Sequence, residues 1–257
     1  MASLQALIFD VDGTLADTER DGHRVAFNQA FEQAGLDWHW SVELYGELLA
    51  VTGGKERMAY YLQKYNTDFP TDDKTPLLIK ELHKSKTDFY TRLLSTGAIP
   101  LRPGVKRLIE EARDQNMRIA IATTTTPENV TALLQHALHE QSTDWFEVIA
   151  AGDIVPAKKP AADIYLWALD KLQLSADDCL AFEDSINGIK SSLGAGLKTI
   201  VTVNDYTRND DFTGAALVLD HMGEPDQPFT TLKGNDHGAR YINLELLQQI
   251  HKNSPLA

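Results

Sequence analysis

Two aspartates near the start of this 257-residue chain are spaced for joint chemistry. Asp10 and Asp12 stand at the end of the apolar run 6–11, a predicted buried strand, and Gly13 permits a sharp turn out of it. Residues two apart in a strand face the same side, so both carboxyl groups would meet at the edge of a sheet where α/β enzymes bind ligands. Taken alone, the same residues could form an Asp-Gly turn with solvated side chains.

A second pair of carboxylates, Glu183 and Asp184, follows the apolar run 179–182 and precedes a predicted helix. Carboxylates that converge from two strand ends repel each other unless a cation compensates them. Oxygen ligands without a nearby His or Cys suit Mg²⁺, so the two acidic pairs predict a magnesium site. Asp184 or Ser185 could also cap the following helix, a role that is compatible with metal binding.

Two further segments offer groups that bind phosphate. Thr123 and Thr124 follow the apolar run 118–122, and hydroxyls and backbone N–H groups at such a strand-to-helix passage form an anion site. Thr126, which precedes a proline, is expected to cap the helix, and this leaves Thr123 and Thr124 for a ligand. Lys159, the second of two adjacent lysines, adds a cation at another such passage, although a lysine pair is ordinarily a solvated one.

The elements around these residues must position them. Short apolar runs predict buried strands, and between the runs apolar residues recur at helical spacing. This alternation predicts an α/β fold, a Rossmann-like parallel-sheet core with both faces covered by helices. The tail beyond about His221 is rich in glycine and proline and predicts loops before a final helix over 244–250. The predicted strands span residues 6–11, 118–122, 146–151, 179–182, 199–203 and, with a weaker pattern, 216–219.

One long stretch after the first motif breaks the alternation, because helical spacing recurs in it without a convincing strand pattern. It predicts an inserted helical cap domain over residues 17–97. The α/β core domain would then consist of residues 1–16 and 98–257. The sequence Gly97-Ala98-Ile99-Pro100 marks the return to the core.

Composition excludes several classes of protein. Lys and Arg number 24 against 37 Asp and Glu, and the net charge of −13 argues against nucleic acid or an anionic membrane as a partner. Hydrophobic residues at 43% and charged residues at 24% exclude a wholly disordered or fibrous chain. The single cysteine, Cys179, allows no intramolecular disulfide, and no apolar run approaches a membrane span. We therefore expect a cytoplasmic protein, and a monomer.

The four motifs, taken together in their order and spacing, resemble those of the haloacid dehalogenase-like phosphohydrolases that carry a helical cap after the first motif. The resemblance covers about residues 5–205, and three cap segments further resemble the CbbY-type branch. Members of that branch remove phosphate from xylulose 1,5-bisphosphate in the Calvin cycle, beside Rubisco. The core motifs are Asp10-Val11-Asp12-Gly13-Thr14, Thr123, Lys159-Pro160 and Glu183-Asp184-Ser185-Ile186-Asn187-Gly188-Ile189; the cap segments are Thr18-Glu19, His23-Arg24-Val25-Ala26-Phe27-Asn28 and Thr52-Gly53-Gly54-Lys55-Glu56-Arg57.

The resemblance implies a mechanism and a cofactor. Asp10 would be the nucleophile that forms an aspartyl-phosphate, and Asp12 would be the general acid and then the general base. Mg²⁺ would be held by the Asp10 carboxylate, the Asp12 backbone carbonyl and the Asp184 carboxylate. Glu183 would act through water or by orienting its neighbour.

The resemblance also implies the contacts to a phosphorylated sugar. Thr123, the Thr124 backbone and Lys159 would bind the oxygens of the transferred phosphoryl group. Lys55 and Arg57, with the glycine pair before them, would bind a second phosphate, unless these cations lie on a solvated helix start. The full set of cap contacts would be Glu19, His23, Thr52, Gly53, Gly54, Lys55 and Arg57.

Two other hypotheses compete with a Mg²⁺-dependent sugar-bisphosphate phosphatase. The first is a phosphosugar mutase similar to the β-phosphoglucomutases, in which the aspartyl-phosphate returns to the sugar. The segment from Asp12 to His23 is one residue longer here than in those mutases, which predicts that His23 misses their catalytic histidine position. The second is a non-catalytic binding protein on the same fold, which the intact Asp10 and Asp12 disfavour.

Overall fold

The computed structural model describes residues 3–253, so the ends of the predicted core domain, 1–2 and 254–257, lie outside the described residues. One seven-stranded sheet has the order β3-β2-β1-β4-β5-β6-β7, in which β1 to β6 are parallel and β7 is antiparallel to β6. The predicted parallel α/β core is confirmed. The strands are β1 (Ala6–Phe9), β2 (Arg118–Ala122), β3 (Val148–Ala150), β4 (Cys179–Glu183), β5 (Lys198–Thr202), β6 (Leu217–Leu219) and β7 (Thr231–Gly234).

The first strand is shorter than predicted. The backbone N–H of Asp10 still donates to the Phe182 carbonyl at 3.0 Å, but the Val11 carbonyl accepts hydrogen bonds from the N–H groups of Thr14 and Leu15. The chain therefore turns at Val11, and Asp10 and Asp12 lie beyond the strand instead of within it. The β3 strand is also shorter than predicted, since it spans only three residues of the predicted run 146–151.

The prediction that residues beyond His221 form loops up to the last helix was wrong at β7, which pairs with β6 along the sheet edge. Its sequence, Thr-Leu-Lys-Gly, contains one apolar residue, Leu232, which is itself exposed. A solvated edge strand has no apolar run and no clear alternation, so the sequence shows no strand signal there.

Helices cover both faces of the sheet. Alternate β1 residues point to opposite sides: Leu7 and Phe9 pack in the core cluster of α5, α6 and α9, whereas Ala6 and Ile8 pack against α7. The core helices are α5 (Val105–Asp114), α6 (Pro127–Leu133), α7 (Asp163–Leu172), α8 (Ile186–Gly194) and α9 (Leu244–Asn253).

The segment between β1 and α5 is helical, as predicted, and has an aromatic core of its own in which Phe27, Trp40 and Tyr45 are almost fully buried. It begins with a π-helical turn over Glu19–His23. The exact division of the chain into two domains remains a prediction. Among residues 3–253, no helix combines the length and apolarity needed to cross a membrane. The helices of this segment are α1 (Arg24–Gln33), α2 (Val42–Leu48), α3 (Gly54–Lys64) and α4 (Thr75–Ser95).

Candidate active site

Three of the predicted carboxylates meet at one edge of the sheet. β1 and β4 are neighbouring parallel strands with Phe9 opposite Phe182, so the residues that follow them emerge side by side. Asp10, Glu183 and Asp184 are nearly fully buried, and each offers a carboxylate oxygen within 4.8 Å of the others. The predicted convergence of the two acidic pairs is thus found for these three residues.

Lys159 lies in the middle of this charge. Its Nζ is 2.6 Å from Asp10 Oδ1 and 2.7 Å from Glu183 Oε1, and the Tyr165 hydroxyl of α7 donates a second hydrogen bond to Glu183 Oε1. Burial, opposed by Lys159 and reinforced by Glu183, raises the pKa of Asp10 to about 7. Burial and the charge of Asp10 raise the pKa of Asp184 well above its usual range. One lysine therefore does not offset three buried carboxylates.

The donor set around this cluster fits a divalent cation. Its potential ligands are all carboxylate oxygens, the kind that Mg²⁺ prefers, and they carry an excess of negative charge. The second oxygen of Glu183, Oε2, is buried without a hydrogen-bond partner. Asp184 Oδ2 is held by the Asn204 amide at 2.7 Å and lies against Gly13, where a Cβ would overlap it and φ is +82°. Glycine is therefore required at position 13, both by the left-handed backbone conformation and by the lack of room for a Cβ.

Asp12 lies apart from this cluster and has different partners. Its Oδ1 accepts hydrogen bonds from the Thr18 hydroxyl at 2.6 Å and from His23 Nε2 at 2.7 Å. Lys86 of α4 lies 2.7 Å from His23 Nδ1, and because an ammonium group only donates, Nε2 must carry the proton that faces Asp12. Burial favours a higher pKa for Asp12, but the hydrogen bonds from His23 and Thr18 and the positive charge of Lys86 hold that pKa below its usual range.

His23 lies beside Asp12, with 2.7 Å between Nε2 and Oδ1, and its relation to the catalytic histidine position of the mutases stays a prediction. The segment between the two residues includes the π-helical turn over Glu19–His23, in which the Arg24 N–H donates to the Glu19 carbonyl five residues earlier. A π turn holds one more residue than an α turn, so a turn of this kind can accommodate a longer segment. The longer segment is therefore no argument against a role for His23 beside Asp12.

A cavity of about 90 Å³ contains the core residues predicted to bind the phosphoryl group. Among the residues that line this cavity are Asp10, Asp12, Thr123, Thr124, Lys159, Glu183 and Asp184.

The two expected helix caps are confirmed: the Thr126 hydroxyl accepts from the Asn129 N–H at the start of α6, and the Ser185 hydroxyl accepts from the Gly188 N–H at the start of α8.

A second cavity of about 300 Å³ lies between the helical segment and the core. Four residues line both cavities, so the two adjoin one another at Asp12, Glu19, Arg57 and Thr124. Every residue predicted as a cap contact lines one cavity or the other: Thr52 the smaller, His23, Gly53, Gly54 and Lys55 the larger, and Glu19 and Arg57 both.

Lys55 has a partner that the sequence does not reveal. Its Nζ is 2.5 Å from Asp153, which follows β3 in the core, and Lys158 pairs with both Asp153 and Glu56 at 2.9 Å. Hydrogen bonds from Lys55 and Lys158 lower the pKa of Asp153 to about 2. Arg57 is only 7% exposed, so the alternative of a solvated helix start does not apply to it.

The family model of the haloacid dehalogenase-like hydrolases matches residues 4–196. The chain belongs to this family. The CbbY protein encoded on a plasmid of Cupriavidus necator is 46% identical over 252 residues, which span 96% of this chain and 97% of that protein. CbbY of Rhodobacter capsulatus is 51% identical over 212 residues, which span 82% of this chain and 91% of that protein.

A solved structure shares the fold at similar identity. A mutant of CbbY from Rhodobacter sphaeroides, crystallised in complex with xylulose-(1,5)bisphosphate, is 45% identical and covers 85% of this chain and 94% of its own, with a TM-score of 0.79. The resemblance read from the motifs is therefore confirmed. More distant relatives carry phosphatase names, and with the family match they identify this haloacid dehalogenase-like hydrolase as a phosphoric monoester hydrolase.

Proposed function

We propose that this haloacid dehalogenase-like hydrolase is a Mg²⁺-dependent phosphatase of sugar bisphosphates that works through an aspartyl-phosphate on Asp10. The observation that carries the proposal is the division of its acidic residues. Asp10 lies with Lys159, Glu183 and Asp184, whereas Asp12, two residues away, is hydrogen-bonded to His23. Nucleophilic displacement at phosphorus requires a nucleophile and a separate acid, and the two environments provide them.

In the first step, an Asp10 carboxylate oxygen attacks phosphorus, the bond from phosphorus to the ester oxygen breaks, and Asp12 gives its proton to the departing alkoxide. In the second step, Asp12 takes a proton from water, which attacks the aspartyl-phosphate and releases inorganic phosphate. Lys159 and the Thr123–Thr124 segment would stabilise the charge on the phosphoryl oxygens, since they line the same cavity as Asp10. Thr18 and His23 orient the Asp12 carboxyl group throughout.

The pKa directions in the protein alone are opposite to these roles, and the ligands would reverse them. The pKa of Asp10 is raised to about 7, and that of Asp12 is lowered. Mg²⁺ held by Asp10, Asp184 and the Asp12 carbonyl, with Glu183 beside it, would keep Asp10 ionised and neutralise phosphoryl oxygens. The negative charge of the substrate phosphate near Asp12 would in turn raise the pKa of Asp12, so that it can hold a proton to donate.

The proposed substrate has a second phosphate, and xylulose 1,5-bisphosphate is the first candidate. Two observations support it. The larger cavity contains the cations Lys55, Arg57, Lys86 and Lys158 beside the catalytic cavity. The CbbY relative from Rhodobacter sphaeroides, at 45% identity, was crystallised in complex with that bisphosphate.

The test is to incubate the protein and Mg²⁺ with xylulose 1,5-bisphosphate and to measure inorganic phosphate and the sugar product. Stoichiometric phosphate release supports hydrolysis, whereas an isomerised monophosphate without net release would establish a mutase. Asp10→Asn should abolish release while the protein stays folded, and Asp114→Asn, at the exposed end of α5, is the matched control. A parallel panel of pentose and hexose mono- and bisphosphates identifies the preferred sugar.

A further inference from the structure

Glu19 and Arg57 lie where the two cavities meet. Both side chains line the larger and the smaller cavity, as do Asp12 and Thr124. A sugar phosphate whose reacting group lies beside Asp10 must place its remaining atoms past this junction. Under the proposed function, on which this inference rests, Glu19 and Arg57 therefore face the sugar next to the bond that breaks.

Tyr45 of α2 forms a hydrogen bond with each of these two residues. It is fully buried and lines neither cavity. Its hydroxyl donates a hydrogen bond to Glu19 Oε2 and accepts one from Arg57 Nη1 at 2.8 Å. The guanidinium carbon of Arg57 also lies 5.1 Å from the centre of the Tyr45 ring. Burial raises the pKa of Tyr45 well above its usual range, so the phenol keeps its proton and remains a donor.

The hydroxyl of Tyr45 separates two opposite charges. Arg57 Nη1 is 3.8 Å from Glu19 Oε2, beyond hydrogen-bond distance, and the two side chains are only 9% and 18% exposed. Charges this close and this well shielded from water attract each other strongly. Without the hydroxyl between them, the guanidinium and the carboxylate would close into a direct pair, which would occupy the donors and acceptors that a sugar needs.

We propose that Tyr45 is a positioning residue that sets the spacing of Glu19 and Arg57 and thereby the enzyme's preference for phosphorylated sugars over other phosphate esters. It touches neither the sugar nor the reacting atoms, since it lines neither cavity. Its effect passes through the charged side chains of Glu19 and Arg57, which line both cavities. Asp10, Asp12 and Lys159 make no hydrogen bond or ion pair with it among the contacts of residues 3–253.

Tyr45→Phe tests this, because it removes the hydroxyl and keeps the ring. The measurement is kcat/KM for xylulose 1,5-bisphosphate and for p-nitrophenyl phosphate, an ester without sugar hydroxyls. We expect the ratio of the two to fall at least about tenfold, mainly through KM for the bisphosphate, as loss of hydrogen bonds to charged groups implies. Partial unfolding lowers both activities in proportion, so the ratio does not depend on the folded fraction. Tyr65→Phe is the matched control, since the Tyr65 hydroxyl donates to Glu47 at the surface.

A double variant tests whether the effect of Tyr45 passes through Glu19. In a Glu19→Ala background, Tyr45→Phe should change the ratio by less than about threefold, because coupled residues are not additive. A tenfold change that persists there would overturn the role through Glu19. An active wild type with an unchanged ratio in Tyr45→Phe would overturn this inference alone. A wild type that releases no phosphate from the bisphosphate would overturn the proposed function and this inference with it.

Discussion

The variant Lys159→Met tests the charge balance at the centre of the site. Methionine keeps the length of the side chain, but Asp10 and Glu183, now 2.6 and 2.7 Å from the ammonium group, would lose their only cation among the described residues. Removal of one partner from a buried ion pair destabilises a protein by about 3–5 kcal/mol. A change of 1 kcal/mol shifts Tm by about 2–4 °C in a chain of this size. We therefore expect Tm at pH 8, in EDTA, to fall by about 10 °C.

The loss should depend on pH. The pKa of Asp10 is raised to about 7 from its ordinary value of 3.8, so Asp10 is ionised at pH 8 and protonated at pH 5 in the folded protein. A carboxyl group with a raised folded pKa favours folding below its unfolded pKa, and this stabilisation disappears as the pH rises through the folded pKa. A protonated Asp10 does not need Lys159, so the deficit of the variant should be smaller at pH 5 than at pH 8.

Lys158→Met is the matched control for this experiment. Lys158 also forms two ion pairs, but its partners Glu56 and Asp153 are 45% and 59% exposed. Exposed pairs contribute about 0–1 kcal/mol, so this variant should unfold close to the wild type. Equal losses in the two variants, or a Lys159→Met deficit that is as large at pH 5 as at pH 8, would refute the buried charge balance. Because Lys159 is also the proposed donor to the phosphoryl oxygens, Lys159→Met should lower kcat by about 10²–10³-fold.

Three further outcomes are expected. Removal of divalent cations with EDTA should abolish phosphate release and lower Tm, and MgCl₂ should restore both; activity that persists in EDTA would contradict the assigned metal role of Asp10, Glu183 and Asp184. His23→Ala should lower kcat more than it changes KM, by about tenfold or more, because Asp12 loses a hydrogen bond from its orienting partner; an unchanged kcat would show that Thr18 suffices. At saturating Mg²⁺, kcat/KM should stay flat or rise slightly between about 0.05 and 0.3 M KCl, and a steep fall would show that local positive charge steers the substrate.

The convergence of the acidic residues could be predicted from the sequence because parallel strands share one carboxyl edge. Asp10 follows β1 and Asp184 follows β4, and these strands are neighbours. The alternation of strands and helices in the sequence is therefore enough to predict that these two side chains lie close together. The caps Thr126 and Ser185 could be predicted for the same reason, since a cap bonds within three residues of itself.

The partners of Asp12 and of the cap residues could not be predicted in this way. Lys86, sixty-three positions further along the chain, reaches His23 from α4, and Asp153 reaches Lys55 from the core side of the larger cavity. Such contacts depend on how whole helices pack, and no spacing within the chain encodes them. The π turn before Arg24 is similar, because it is recognised only from the carbonyl that accepts a hydrogen bond from the Arg24 N–H.

The net charge of −13 is a property of the whole surface, whereas a substrate meets only the residues around the cavities. In the larger cavity, four carboxylates are matched by four Lys and Arg side chains. The Debye length at physiological ionic strength is about 8 Å, so charges elsewhere on the surface are largely screened from a ligand in this cavity. An extended polyanion such as DNA would contact the acidic surface, but a sugar phosphate inside the cavity would not. The same net charge therefore argues against nucleic acid as a partner and is consistent with a small phosphorylated substrate.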